Sequence, residues 1–66
     1  MKKISYEPLF KLLKQRNIKQ KTFFEKAKIS GSTIQKLRMN KCVTTNVLVR
    51  MCTVLNCNLE DIVELN

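Results

Sequence analysis

The chain has no histidine and no tryptophan, and it contains only one glycine and one proline. Without histidine, the commonest general base and a common metal ligand are missing. A single glycine cannot build the glycine-rich loop that cradles a nucleotide phosphate. Few glycines, prolines and β-branched runs favour an all-helical fold. We therefore expect no enzymatic activity, and no catalytic residue or cofactor is predicted.

Cysteine is also scarce, with only Cys42, Cys52 and Cys57 in the chain. No Cys-x-x-Cys pair is present, so the ordinary zinc spacings are absent and no metal site is expected. An odd number of cysteines in a small basic chain does not make a disulfide framework. Cys42 lies in a predicted loop where its thiol can be exposed, and a redox-sensing role for it stays open.

Long apolar stretches are missing as well. No run approaches the ~20 residues that a membrane-spanning helix needs. Ser5, Glu7 and Pro8 interrupt the segment that follows the initial Met-Lys-Lys, so no secretory signal is predicted. We expect a cytoplasmic protein with one domain over residues 1–66. A chain of this length buries only about 60% of its unfolded surface, so its stability should be modest.

Positive charge is what the chain has in excess, and its distribution is uneven. Residues 1–41 contain twelve of the thirteen Lys and Arg residues and two acids, a net charge of +10. Residues 42–66 contain one basic residue and three acids, a net charge of −2. A basic body with an acidic end favours one face that meets nucleic acid. An ordinary solvated surface is the alternative, and an anionic membrane is disfavoured because no predicted helix has the required amphipathic pattern.

Apolar side chains recur at helical spacing in five segments, which predicts five helices. Their expected bounds are Glu7–Arg16, Gln20–Ala27, Gly31–Met39, Thr45–Leu55 and Leu59–Glu64. Asn17 and Asn40 suit the left-handed residue that ends a helix. Thr44 and Asn58 can cap the last two helices, and Asp61 stands in a capping-box position after Asn58.

The first helix carries a leucine stripe that indicates core packing. Leu9, Leu12 and Leu13 share one face, and Arg16 extends it with its charged end at the edge. Tyr6 precedes this helix and is the only tyrosine. We expect its ring to pack at the helix entrance, with base stacking as the alternative.

The segment from Lys19 to Leu37 has the pattern of two short helices joined by a tight turn. Its apolar positions are Phe23, Phe24, Ala27, Ile29, Ile34 and Leu37, with Ile29 between the two helices. Ser30 can cap the second helix. The outward positions of that second helix are small or polar, so it can approach base edges closely.

This segment resembles the helix-turn-helix of the Cro/repressor-type (Xre-like) DNA-binding family. Gln20 matches the family's glutamine at the start of the first motif helix. Ile29-Ser30 matches its turn, and Ser32-Thr33-Ile34 matches the start of its recognition helix. The resemblance continues to Ile62 and covers nearly the whole chain. It implies an all-α, compact, five-helix, lambda-repressor-like DNA-binding domain with the helix-turn-helix at helices 2 and 3.

The chain departs from the family pattern at Lys28, where a glycine usually makes the turn, and at Phe24, where the family usually has a small alanine. A lysine at positive φ costs roughly 1 kcal/mol, and the larger ring needs extra room. We therefore expect a reshaped turn. Cys52 and Cys57 stand where the family usually has Ala and Val, so both are interpreted as small buried hydrophobic residues.

The resemblance also implies residue roles. Ser32 and Lys36 match positions that point at base edges, and Gly31 matches another without supplying a side chain. The base-reading candidates are Gly31, Ser32, Thr33, Gln35 and Lys36, and the phosphate-contacting candidates are Lys19, Gln20, Lys21, Arg38, Asn40 and Lys41. We expect sequence-specific binding to double-stranded DNA by a small transcriptional regulator.

Two alternatives concern partners. A protein-binding adaptor, such as an antirepressor or a toxin or sigma-factor partner, could use the same fold. Val47, Val54 and Val63 could form an apolar patch for a homodimer, or could be scattered surface residues. No small-molecule ligand and no membrane partner are predicted.

Overall fold

Four α-helices make up most of the computed structural model, which describes residues 1–66. They are α1 (Glu7–Gln15), α2 (Gln20–Lys26), α3 (Gly31–Arg38) and α4 (Thr45–Leu55). The strands β1 (Ile4–Ser5) and β2 (Glu64–Leu65) pair antiparallel, and a single 3-10 turn spans Leu59–Asp61. The predicted bounds of the first four helices are confirmed to within one residue, the usual uncertainty of a helix end.

The fifth predicted helix, Leu59–Glu64, is wrong, and so is the strictly all-α five-helix architecture. The expected capping contact is present, because the Asn58 N–H donates to the Asp61 carboxylate at 2.9 Å. After one 3-10 turn, however, the chain extends and Glu64 pairs with Ser5. Antiparallel pairing with β1 supplies the hydrogen bonds that another helical turn would have made. The fold is mostly helical, with a small sheet between its two ends.

All four helices end in the same way. Asn17, Lys28, Asn40 and Asn56 have φ of 60°, 56°, 56° and 50°, each just after a helix. In each case the next N–H donates to a carbonyl five residues back, as from Ile18 to Leu13 at 2.9 Å. This is the Schellman motif. The left-handed roles predicted for Asn17 and Asn40 are confirmed.

The core lies where the four helices and the end of the chain meet. Its buried apolar residues are Tyr6, Leu9, Leu13, Phe23, Phe24, Ala27, Ile29, Leu37, Met51, Leu55 and Ile62. Phe24 finds its room inside this core, where its ring tilts against Phe23 with centroids 5.4 Å apart. The Arg16 guanidinium donates to the Leu55 carbonyl, which ties α1 to the end of α4.

Several side chains outside the fully buried set also pack against this core. Cys52 and Cys57 are half-buried there, as expected for small hydrophobic residues. Val47 and Val63 are half-buried and also pack against the core, whereas Val54 is exposed. Whether these three valines form a homodimer patch stays a prediction. No helix is both long enough and apolar enough to cross a membrane.

Candidate nucleic-acid interface

The turn between α2 and α3 keeps its left-handed residue despite the lysine. Lys28 has φ 56°, and the following Ile29 N–H donates to the Phe24 carbonyl at 3.0 Å. Arg50 also donates to the Lys28 carbonyl at 3.4 Å. The substitution is therefore absorbed as backbone strain of about 1 kcal/mol, and the expected reshaping of the turn is wrong.

Two apolar side chains anchor α3 and leave its polar side outward. Leu37 is buried and Ile34 is half-buried against the core. Ser32 and Lys36 are exposed and one helical turn apart, so they share one face. Gly31 is also exposed, and a Cβ added there would meet nothing within 4 Å. The fold itself does not need glycine at this position, so its small size can matter only to a partner.

Hydroxyl groups define the N-terminus of α3. Ser30 accepts a hydrogen bond from the Thr33 N–H at 3.4 Å, which confirms the predicted cap. The Ser30 hydroxyl also lies 3.2 Å from that of Ser32 and 3.0 Å from that of Thr33. The amides of Gly31 and Ser32 have no protein acceptor. The end of α3 thus presents hydroxyls and free N–H groups to solvent.

A hydrogen bond joins the start of α2 to the end of α3. Gln20 is the first residue of α2, and its side-chain oxygen accepts from the Arg38 guanidinium at 3.4 Å. The first backbone amides of α2 have no acceptor in the protein. Two of the predicted phosphate-contacting residues therefore lie together beside free N–H groups, although eighteen positions separate them in the sequence.

Tyr6 holds the loop after α3 through two hydrogen bonds. The Tyr6 hydroxyl donates to the Lys41 carbonyl at 2.7 Å, and the Tyr6 N–H donates to the Asn40 side-chain oxygen at 3.1 Å. Tyr6 is fully buried, so its ring cannot stack on a base, and the expected packing at the start of α1 is confirmed. Burial also raises the pKa of the Tyr6 hydroxyl. We call these two hydrogen bonds the Tyr6 latch. No local sequence pattern indicated it, because its partners are more than thirty residues apart.

Positive charge on the molecule is almost entirely unpaired. The structure contains one ion pair, between Glu7 and Lys11 at 3.9 Å. The predicted phosphate-contacting cations Lys19, Lys21, Arg38 and Lys41 are exposed and have no acidic partner, and the same holds for Lys36 on α3. Unpaired cations beside an exposed polar helix can neutralise phosphates while that helix enters a groove.

A second helix anchored by its apolar side chains, a tight turn before it and unpaired cations on and around both helices define a helix-turn-helix DNA-binding domain. The model of the Cro/C1-type HTH DNA-binding domain family matches residues 9–66, and the chain belongs to this family. The crystal structure of the transcriptional regulator VanUg is similar, with a TM-score of 0.95 and 38% sequence identity. The alignment covers 98% of this chain and 87% of VanUg. No curated protein sequence matches the chain.

Proposed function

We propose that this chain is a sequence-specific double-stranded DNA-binding protein and acts as a small transcriptional regulator. The observation that carries the proposal is the exposed polar face of α3, which is flanked by unpaired cations. Membership of a DNA-binding family and similarity to a transcriptional regulator support it. The proposed activity is binding without catalysis and without a cofactor.

In this proposal the start of α2 positions the protein on the duplex. Gln20 and the free amides beside it hold one phosphate strand. Lys19 and Lys21 flank Gln20, while Arg38 and Lys41 neutralise phosphates near the other end of α3. Asn40 uses its side-chain oxygen to accept from Tyr6, which leaves its NH₂ group free to donate to a phosphate.

The same docking brings residues 31–39 into the major groove, where sequence is read. Gly31 permits close approach, and Ser32 and Lys36 face the base edges. The Lys36 ammonium can donate to the O6 and N7 acceptors of guanine. Thr33 and Gln35 flank this face and contact bases or phosphates.

We further propose that the chain binds DNA as a homodimer through its acidic end. The exposed large apolar side chains there are Val49, Val54, Leu59 and Leu65, at 62%, 38%, 48% and 65% exposure. They belong to residues 42–66, whose net charge is −2, so pairing at this end keeps the two strongly basic bodies apart. A two-fold pair would place two copies of α3 about 34 Å apart, in successive major grooves.

A protein-binding adaptor is the competing function. An acidic protein partner would also be attracted to the basic face. In that case the affinity of the chain for a duplex would not depend on the base sequence. The face carries Lys36, Arg38 and Lys41, which suits a polyanion such as DNA.

Salt dependence of duplex binding tests the proposed function. About four to six phosphate contacts should give a log–log slope of affinity against salt of roughly −4 to −5 on random duplex DNA. The measurement is a fluorescence-anisotropy titration of the whole chain at several salt concentrations. No duplex binding, or a slope indistinguishable from zero, would exclude DNA as the partner and favour the adaptor.

A further inference from the structure

Two surface clefts meet along α1, beside the residues assigned to phosphate contacts. The first has a volume of about 370 Å³ and lies between α1 and the end of α3, where Arg38 and Asn40 line it. The second has a volume of about 480 Å³ and is lined by Lys19 and Gln20 at the start of α2. Lys14 lines both clefts, with the half-buried Phe10 beside it. Lys14 therefore stands where the two cationic regions join.

The charges around these clefts single out Lys14 on α1. Lys11 also lines the first cleft, but Glu7 lies 3.9 Å from its ammonium and lines the same cleft. Lys14 is exposed and has no acidic partner. Of the two lysines on this part of α1, Lys14 is the one with an uncompensated charge to offer an anion.

The connection across the clefts favours a continuous chain of phosphates over a single small anion. The hydrogen bond from Arg38 to Gln20 already joins the two ends of the helix-turn-helix at 3.4 Å. Arg38 lines the first cleft and Gln20 the second, so a phosphate strand that contacts both residues runs beside the two clefts that Lys14 lines. A lysine ammonium on a flexible stem reaches such a strand as a point charge, without a fixed hydrogen-bond geometry.

We propose that Lys14 is a further phosphate-contacting residue and that the DNA interface extends from the helix-turn-helix onto α1. This contact presupposes the duplex binding proposed above. It contributes to affinity for every sequence, because a phosphate carries no base identity.

The test compares Lys14→Gln with Lys26→Gln. Both substitutions remove one positive charge from an exposed helical lysine, but Lys26 lines neither cleft. We expect Lys14→Gln to weaken binding to random duplex several-fold and to reduce the salt slope by about 0.9. Lys26→Gln should leave the slope unchanged, and Lys14→Arg should restore it. Circular dichroism checks that each variant keeps the helical content of the parent chain.

The outcomes separate this contact from the function on which it rests. A steep slope for the parent chain with identical slopes for Lys14→Gln and Lys26→Gln would overturn the role of Lys14 and leave DNA binding intact. A parent chain that does not bind duplex would overturn both. Loss of affinity on one base sequence only would contradict a phosphate contact at Lys14.

Discussion

Tyr6 shows how one buried residue can support a surface that it never reaches. It precedes α1, yet its backbone and hydroxyl groups hold the loop that carries Asn40 and Lys41. These contacts hold the end of α3 in place, because Asn40 is the left-handed residue of its terminal motif. The latch therefore links the core to two proposed phosphate contacts.

The titration of Tyr6 provides a direct test of this latch. Burial raises its pKa above the ordinary value of 10.0, so the neutral hydroxyl is the form that the fold favours. Its stabilising contribution is fully present below pH 10 and is lost as the pH rises through the native pKa. As Tyr6 is the only tyrosine, tyrosinate absorbance reports on it alone.

We expect the native absorbance midpoint to lie above 10.0 and to return towards that value in denaturant. The parent chain should also lose stability relative to Tyr6→Phe as the pH rises from 10 to that midpoint. A native midpoint at or below the denatured one would contradict the buried, hydrogen-bonded hydroxyl.

At the scale of elements, a left-handed residue sets the end of each helix. Four left-handed residues end the four helices, and three of them are asparagine, which tolerates this conformation. Lys28 is the exception, and it occupies the turn inside the helix-turn-helix. The turn is therefore the position where a local change should stabilise the fold most simply.

Replacing Lys28 with glycine should raise the free energy of unfolding by about 0.5–1 kcal/mol. Glycine removes the cost of positive φ, and its greater freedom in the unfolded chain offsets part of that gain. Lys26→Gly is the matched control, since it removes the same charge from a right-handed helical position and should destabilise by about 1 kcal/mol. Urea unfolding measures both. Equal destabilisation by the two variants would show that Lys28 is unstrained.

Local sequence patterns predicted the helices and their caps well. They could not predict contacts between residues that are far apart in the sequence. Thr44 caps α4 as expected, with its hydroxyl accepting from the Val47 N–H at 3.4 Å. The error at Leu59–Glu64 arose because β2 pairs with β1 at the opposite end of the chain. The hydrogen bond between Gln20 and Arg38 was equally invisible, although each residue was separately assigned to a phosphate.

At the scale of the whole molecule, positive charge is concentrated in residues 1–41, while most of the exposed large apolar side chains lie in residues 42–66, with Met1 and Met39 as exceptions. The helix-turn-helix belongs to the strongly basic residues 1–41, and the exposed Val49, Leu59 and Leu65 belong to residues 42–66. This distribution suits the proposed function, in which one end binds DNA and the other meets a second copy. It also explains why self-association through the basic face would be unfavourable.

Light scattering tests the proposed dimer. The parent chain should show the mass of two copies on a palindromic duplex, and Val49→Glu should reduce it to one copy by placing a charge in the apolar interface. Gln15→Glu adds the same charge at an exposed position of α1 and should leave the dimer intact. Monomers alone, both free and on palindromic DNA, would rule the dimer out.

The central claim is that α3 reads bases while the start of α2 only positions the protein, and Lys36→Ala and Gln20→Ala separate these roles. After a binding site has been selected from a random duplex pool, both variants are titrated against its single-base variants at two salt concentrations. Lys36→Ala should cost about 1–3 kcal/mol on the preferred site and relax the preference at one base pair. Gln20→Ala should weaken all sequences by a similar, smaller amount with an almost unchanged salt slope, because glutamine displaces no counterion. If Lys36→Ala instead lowers the affinity equally for every variant of the site, Lys36 contacts only phosphate. The assignment of Lys36 to the base-reading face of α3 is then wrong.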